Sequence, residues 1–275
     1  MRPLATIVAP PQNLRMSVFR LDEVVISVTG DDAKSWLQGQ ITADLEGLKP
    51  GESLYALVLT PKGRILADIR LVEADDGYHL LVERSLHEAL LARLEQYLVM
   101  EDVELEMTSL QVAHVWGEER PGVRSERLGV SGSDLIGESL DLSGLEEVSH
   151  EMWEALRISA GVPRVGVDFG LATLPQEAGL KERAVSFSKG CYLGQEPVVM
   201  LEHRGKPPKR LIRGRLQGDT EVDQVQQGKR TVGSITSRKD LDVLALIKRK
   251  ALESEIPLEV GTTTLEVVAI IGETP

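Results

Sequence analysis

The chain has 275 residues, of which 42% are hydrophobic and 27% are charged, and its formal net charge is −12 at pH 7. These values are typical of a globular protein, and the acidic charge argues against direct, unspecific binding to nucleic acid or to an anionic membrane. A single cysteine excludes an intrachain disulfide, and no apolar run has the length of a signal peptide or a membrane span. We therefore expect a cytoplasmic protein with no membrane partner.

The first two thirds of the chain alternate between helical and strand patterns. Apolar residues at helical spacing follow the capping residues 30–32 and again follow Ser85 and Glu88, which have the spacing of a capping box. Ser149 is placed to cap a third helix, which Gly161 would end. Between these helices, β-branched runs and alternating apolar residues predict strands at residues 54–60, 64–73, 78–83, 103–107 and 111–116.

The last part of the chain has a different pattern. Pro207 and Pro208 mark a boundary, after which short β-branched segments alternate with turn residues and no stretch has convincing helical periodicity. We therefore predict an α+β fold with two domains, an α+β region at residues 1–205 and a small all-β barrel or sandwich at residues 206–275. The predicted strands of the second domain are residues 211–216, 231–236, 243–248 and 265–271.

The only cysteine, Cys191, lies in the polar segment 187–197, which contains two glycines four residues apart and ends at a proline suited to the first turn of a helix. Lys189 precedes the thiol by two residues and would favour its ionised, nucleophilic form. The alternative is a buried cysteine that acts as a small apolar side chain, and composition alone favours this alternative. The polar flanks, which include Gln195 and Glu196, favour a reactive and exposed thiol.

Residues 189–196, KGCYLGQE, resemble the KGCY-x-GQE signature of the YgfZ-type folate-binding proteins, which are related to the aminomethyltransferase (T protein) of the glycine cleavage system. Four further stretches resemble motifs of the same family and occur in the family's order. They are residues 36–45 (WLQGQITADL), 59–71 (LTPKGRILADIRL), 156–163 (LRISAGVP) and 174–180 (LPQEAGL). The resemblance covers most of residues 25–240.

The resemblance implies a fold, a cofactor and a set of site residues. The implied fold is a folate-binding, aminomethyltransferase-like α+β region followed by a C-terminal β-barrel, with the ligand pocket between the two. The implied cofactor is tetrahydrofolate, whose N5 would lie beside the carboxylate of Asp68. Residue pattern alone would make Asp68 a solvent-facing strand residue. We expect catalytic roles for Cys191 and Asp68 and cofactor contacts by Tyr55, Asp68, Arg157, Lys189, Tyr192, Gln195 and Glu196.

One position departs from the family pattern. The family has a folate-site glutamate in its R-x-EAG stretch, and this chain has Ser159 there. A serine cannot offer the two oxygens that hold the aminopyrimidine edge of a pterin, so folate affinity would be weaker or another acid, such as Glu177, would substitute. Arg157 is placed either to contact an anionic ligand tail or to form a surface salt bridge.

Three functions are compatible with these residues. The leading hypothesis is a tetrahydrofolate-binding accessory protein for iron–sulfur cluster assembly or repair that supports tRNA modification, with iron–sulfur proteins or their assembly machinery as partners. One cysteine cannot supply four thiolates, and the five histidines lack the spacing of a metal site, so we expect no resident metal. The alternatives are a folate-dependent aminomethyltransferase or one-carbon transferase, and a scaffold with a vestigial pocket.

Overall fold

The computed structural model describes residues 16–117, 122–129 and 131–273. The strands before the barrel are β1 (Ser17–Leu21), β2 (Glu23–Thr29), β3 (Leu54–Leu59), β4 (Ile65–Ala74), β5 (Gly77–Glu83), β6 (Glu104–Met107), β7 (Gln111–Trp116), β8 (Val123–Glu126), β9 (Ser131–Gly137) and β10 (Glu146–Glu147). The helices in the same part are α1 (Ala33–Gln40), α2 (His87–Glu95), α3 (His150–Ala160), α4 (Lys181–Ala184) and α5 (Gln195–Arg204). None of the described helices is long and apolar enough to cross a membrane.

These ten strands form two five-stranded sheets. The first sheet has the order β3-β4-β5-β2-β6, and the second has the order β10-β1-β7-β9-β8. Every pairing in both sheets is antiparallel except that of β1 with the short strand β10. The five strands predicted for this part of the chain are all present, and their ends differ from the predicted ends by no more than one residue.

The first sheet is covered on both faces by apolar clusters, and successive side chains of a strand point towards opposite clusters. On β3, Ala56 and Val58 pack into a core that includes apolar residues of α1 and α2. Leu57 and Leu59 point the other way and pack with Tyr192 and with Val198 of α5. The segment that carries Cys191 is therefore anchored on one face of this sheet.

The C-terminal part is a closed six-stranded barrel with the strand order β11-β14-β13-β12-β15-β16, which confirms the predicted all-β architecture. Two short strands, β12 and β15, and the single-turn helix α6 were not predicted. The barrel elements are β11 (Lys209–Leu216), β12 (Gln224–Gln227), β13 (Arg230–Lys239), β14 (Asp242–Lys248), α6 (Arg249–Leu252), β15 (Leu258–Val260) and β16 (Thr263–Ile270). The division of the chain at residue 205 stays a prediction.

Buried polar contacts attach the barrel to α3. Arg157 donates hydrogen bonds to Asp168 Oδ2 at 2.8 Å and to the hydroxyl of Ser237 on β13 at 2.8 Å. The Ser237 hydroxyl in turn donates to Asp168 Oδ1 at 2.7 Å. Arg213 of β11 donates to the carbonyl of Ser159. Two arginines thus hold α3 to two barrel strands, and both donate hydrogen bonds to acceptors inside the protein.

The helix ends follow the sequence prediction in one case and depart from it in two. Ser149 accepts a hydrogen bond from the Met152 amide, and Gly161 ends α3 with φ 72°, as predicted. The capping-box prediction for α2 was wrong, because a 3₁₀ turn precedes the helix and the Ser85 hydroxyl donates to Glu83 instead. Asp32 occupies the N-cap of α1, but its carboxylate accepts from the backbone of the neighbouring loop.

A buried ion network joins the two sheets. Arg127, which follows β8 of the second sheet, forms paired hydrogen bonds with Glu23 of β2 in the first sheet at 2.7 and 2.8 Å. Arg127 also bonds both carboxylate oxygens of Asp134 on β9, and Asp134 accepts from His114 Nδ1 on β7 at 2.8 Å. Although burial alone would raise the pKa of Asp134, the charge of Arg127 and the hydrogen bonds hold it far below its usual range.

Asp134→Asn is expected to lower the free energy of unfolding by about 2 kcal/mol, because Arg127 loses one of its two carboxylate partners and keeps Glu23. The stabilisation contributed by Asp134 is present above its ordinary pKa of 3.8 and is lost as the pH falls below that value. Urea unfolding at pH 7 and at lower pH measures both effects. Asp76→Asn, at an exposed turn, is the control, and equal stabilities of the two variants at pH 7 would contradict the account.

Candidate functional site

A cavity of about 450 Å³ opens beside the first sheet. Its wall consists of residues between Phe19 and Arg183, and no barrel residue of the described chain lines it. A second cavity, of about 470 Å³, is lined both by residues 176–205 and by residues of the barrel, so the prediction that the ligand pocket lies between the two regions stays a prediction. Beside the cavity of Tyr55 and Asp68, the hydrogen-bonded side chains of Arg157, Asp168 and Ser237 lie between α3 and the barrel.

Tyr55 and Asp68 meet in the wall of this cavity. They lie on the paired strands β3 and β4, where the register places Asp68 opposite Leu57, two residues from Tyr55. The two side chains are thus diagonal neighbours on one face of the sheet. The Tyr55 hydroxyl donates a hydrogen bond of 2.8 Å to Asp68 Oδ2.

The surroundings of this pair change its acid–base properties. Burial raises the pKa of Asp68, and the hydrogen bond from Tyr55 partly opposes that effect. Burial also raises the pKa of Tyr55 well above its ordinary value, so Tyr55 is a neutral phenol that donates to the carboxyl group. The remaining lone pairs of Asp68 face the cavity, where they can accept a hydrogen bond or stabilise a positive charge on a ligand.

Two arginines flank the ring of Tyr55. The guanidinium carbon of Arg70 lies 4.9 Å from the ring centroid, and that of Arg183 lies 5.4 Å from it. Both distances are within the range of cation–π attraction. Sequence reasoning did not single out either residue. Arg70 was recognisable, since it is two residues from Asp68 on the same strand and so shares its face, whereas Arg183 lies on the four-residue helix α4 and has no comparable signal.

Arg157 lines the cavity, but its guanidinium is used by the protein itself. It donates to Glu154, Asp168, Ser237 and the carbonyl of Val162. Of the two roles that the sequence allowed, the structure contains the salt bridge, and this salt bridge is buried rather than on the surface. A contact of Arg157 with an anionic ligand stays a prediction.

The two positions considered for a pterin-binding acid lie outside the cavity wall. Ser159 gives its carbonyl to Arg213 of the barrel. Glu177 is buried and accepts hydrogen bonds from Arg64 at 3.1 Å and from the Leu174 amide at 2.9 Å. The carboxylate that α3 does bring to the cavity is Glu154, which is bound by arginines.

Lys189 holds the cysteine segment against the end of α1. Its ammonium donates to the carbonyl oxygens of Gln38, Ile41 and Ala43 at 2.7, 3.0 and 2.7 Å, so all three of its hydrogens are used. Cations stabilise the C-terminal end of a helix, where carbonyls lack partners. Burial lowers the pKa of the Lys189 amine to about 8, so the charged form still predominates at neutral pH.

Two further backbone contacts fasten the same segment. The Leu193 amide donates to the Gly39 carbonyl of α1 at 3.1 Å. Gly194 has φ 81°, and a β-carbon there would overlap the carbonyl oxygen of Thr60 in the turn between β3 and β4. Residues 36–45, 59–71 and 189–196, which are distant in sequence, therefore meet at one place.

Cys191 is exposed at this place, so the buried alternative considered for it is wrong. Tyr192 packs into the core, and Gln195 and Glu196 form the first turn of α5. Neither these residues nor Lys189 line the cavity of Tyr55 and Asp68. Their predicted contacts with a cofactor stay predictions. Tyr192 packs on the same face of the first sheet as Tyr55, but outside the cavity wall.

Comparisons with known proteins agree with this architecture. Residues 21–118 match a domain family described as the GCVT N-terminal domain. An uncharacterized protein of Haemophilus influenzae is 30% identical over 234 residues, which cover 79% of this chain and 82% of the relative. The "tRNA-modifying protein YgfZ" of Vibrio atlanticus is 29% identical over 238 residues, covering 77% and 74%. The protein of the same name from Photobacterium profundum is 27% identical over 221 residues, covering 70% and 67%.

The chain belongs to the YgfZ family. The fold of this family is related to that of the glycine cleavage T proteins. The crystal structure of the glycine cleavage system aminomethyltransferase T from Bartonella henselae superposes with a TM-score of 0.81, covering 95% of this chain and 87% of that protein at 17% identity. Within the YgfZ family fold, the KGCY-x-GQE signature of this chain lies on a surface formed with two other family motifs.

Lys189→Met is expected to lower the free energy of unfolding by about 2 kcal/mol, because it removes three charge-assisted hydrogen bonds that are partly shielded from water. Urea denaturation at pH 7 measures the change. Lys62→Met removes an exposed lysine of the nearby turn and is the control. If the two variants unfold at the same urea concentration, Lys189 does not hold the segment.

Proposed function

We propose that the chain binds tetrahydrofolate beside Tyr55 and Asp68 and acts as an accessory protein in tRNA modification that involves iron–sulfur enzymes, with Cys191 as its reactive group. The observation that carries the proposal is the 2.8 Å hydrogen bond of Tyr55 to Asp68 in the wall of a 450 Å³ cavity. Two relatives carry the printed name "tRNA-modifying protein YgfZ", and the fold is that of an aminomethyltransferase.

Two properties of the cavity support a reduced pterin as its ligand. Its volume lies within the range of roughly 300–1,000 Å³ that is usual for small-molecule sites. Asp68 offers an acceptor for a ring N–H and a negative charge that would stabilise a cationic form at N5. Tyr55 fixes the orientation of that carboxyl group, because its hydroxyl occupies one of the oxygens.

The thiol has a separate role in this proposal. Cys191 is exposed and does not line the cavity, so it is positioned to meet a macromolecule rather than the bound folate. Its thiolate would bind an iron atom of a partner's cluster, and its proton would be released to water. Among the described residues, no group of three or more His, Cys, Asp and Glu side chains could hold a metal ion, so the iron would belong to the partner.

A folate-dependent aminomethyltransferase is the second candidate, and Asp68 on this fold favours it. Ser159 in place of the family's glutamate and the surface that carries Cys191 favour the accessory role. Incubation with tetrahydrofolate and an aminomethyl-lipoyl carrier protein distinguishes the two, since only a transferase releases methylenetetrahydrofolate. We expect no turnover.

Asp68→Asn is expected to weaken tetrahydrofolate binding about tenfold, because the neutral amide loses the attraction between the carboxylate and the N–H groups of the pterin. Anaerobic calorimetric titration measures the affinity, with Asp76→Asn as the control. Since burial raises the pKa of Asp68, affinity should fall on acidification at a higher pH than for an ordinary aspartate. Equal affinities of Asp68→Asn and the wild type would reject this site, and absence of binding to the wild type would favour the scaffold with a vestigial pocket.

Cys191→Ala is expected to bind tetrahydrofolate as the wild type does. In a strain that lacks its own YgfZ-type protein, however, the variant is expected not to restore growth or tRNA modification. The reason is that the thiol lies outside the cavity and serves a partner. Growth and the level of modified tRNA measure rescue, and calorimetry measures the retained affinity. Rescue equal to that by the wild type would show that the thiol has no such role.

A further inference from the structure

We infer that Arg183 binds the carboxylate tail of the folate and so makes the site selective for folates that carry a glutamate. This inference rests on the proposed function, because it assigns a tail contact within the same cavity. Arg183 lines the cavity and is exposed to solvent. Its side chain therefore lies where the cavity meets the surface, which is where the tail of a ligand bound ring-first would emerge.

The other arginines of the cavity are already engaged. Arg127 pairs with Glu23 and Asp134, and Arg157 and Arg164 share Glu154. The remaining two also have partners, since Arg20 pairs with Glu147 and Arg70 donates to the carbonyl of Glu126.

Arg183 differs from these five residues. Within the described part of the chain it has no hydrogen bond and no ion pair, and its one contact of note is with the Tyr55 ring at 5.4 Å. Stacking on an aromatic ring orients a guanidinium while leaving its N–H donors free. The free donors form a planar fork that matches the two oxygens of a carboxylate.

The charge distribution also fixes which end of the ligand reaches Arg183. Asp68 would repel a carboxylate and attract the N–H groups of a pterin. A folate has its ring at one end and its glutamate carboxylates at the other. Binding with the ring at Asp68 therefore directs the anionic end towards the mouth of the cavity, where the exposed Arg183 has no ion pair within the described part of the chain.

Anaerobic calorimetric titration with tetrahydrofolate and with tetrahydropteroate, which lacks the glutamate, tests the inference. The wild type is expected to bind tetrahydrofolate about fivefold more tightly, a modest factor because Arg183 is exposed to water. Arg183→Gln should lower the affinity for tetrahydrofolate to that for tetrahydropteroate and leave the latter unchanged. Arg230→Gln, which removes an exposed arginine of β13, is the matched control and should behave as the wild type does.

Two results would overturn the inference while leaving the proposed function intact. One is an Arg183→Gln variant with unchanged affinity for both ligands. The other is an equal loss for both ligands, which would mean that Arg183 acts on the ring through Tyr55 and not on the tail. If the wild type binds neither ligand, the proposed folate site itself is wrong and the inference falls with it.

Discussion

Two buried guanidiniums, those of Arg127 and Arg157, keep carboxylate partners, and these ion pairs organise both the fold and the site. Arg127 links the two sheets through Glu23 and Asp134, and Arg157 links α3 to the barrel through Asp168. Removing one partner of such a pair leaves an uncompensated charge inside the protein, which costs about 3–5 kcal/mol. These two arginines reach the cavity wall, but their charges are committed to the structure.

Because Arg127 and Arg157 are paired with carboxylates of the protein, other side chains of the cavity must bind a ligand. What remains is the hydrogen-bonded pair of Tyr55 and Asp68 and, beside the Tyr55 ring, Arg183, which has no ion pair within the described residues. The exposed Cys191 belongs to a second surface, where the family's motifs meet around the end of α1. The strand β3 contributes to both places from one face, since Tyr55 lines the cavity and Leu57 and Leu59 on the same face pack beneath the cysteine segment. The proposed folate site and the exposed thiol thus lie on one sheet, and the thiol does not line the cavity of Tyr55 and Asp68.

The sequence predicted those features whose cause is local. Alternating and β-branched residues located β3, β4, β5 and β7, and the cap residues located both ends of α3. The strand β9 was missed because its sequence, SGSDLIG, has weak strand propensity. It is a strand through its pairing with β7 and through the ion network of Asp134.

The site was predictable only in part, because many of its contacts join residues that are distant in sequence. The family resemblance indicated Tyr55 and Asp68, whose pairing follows from a tight strand–turn–strand. The partners of Arg157 could not be read from its neighbours, since Ser237 is 80 residues away. The separation of Cys191 from the cavity likewise depends on how α5 packs on the sheet, which no local pattern specifies.

The crystal structure of the complex with tetrahydrofolate tests the central claim most directly. The account predicts electron density for the pterin within hydrogen-bonding distance of Asp68, with Arg127 still paired to Asp134 and Arg157 still paired to Asp168. Density for the ligand elsewhere, or either guanidinium turned from its carboxylate to grip the ligand, would contradict the claim.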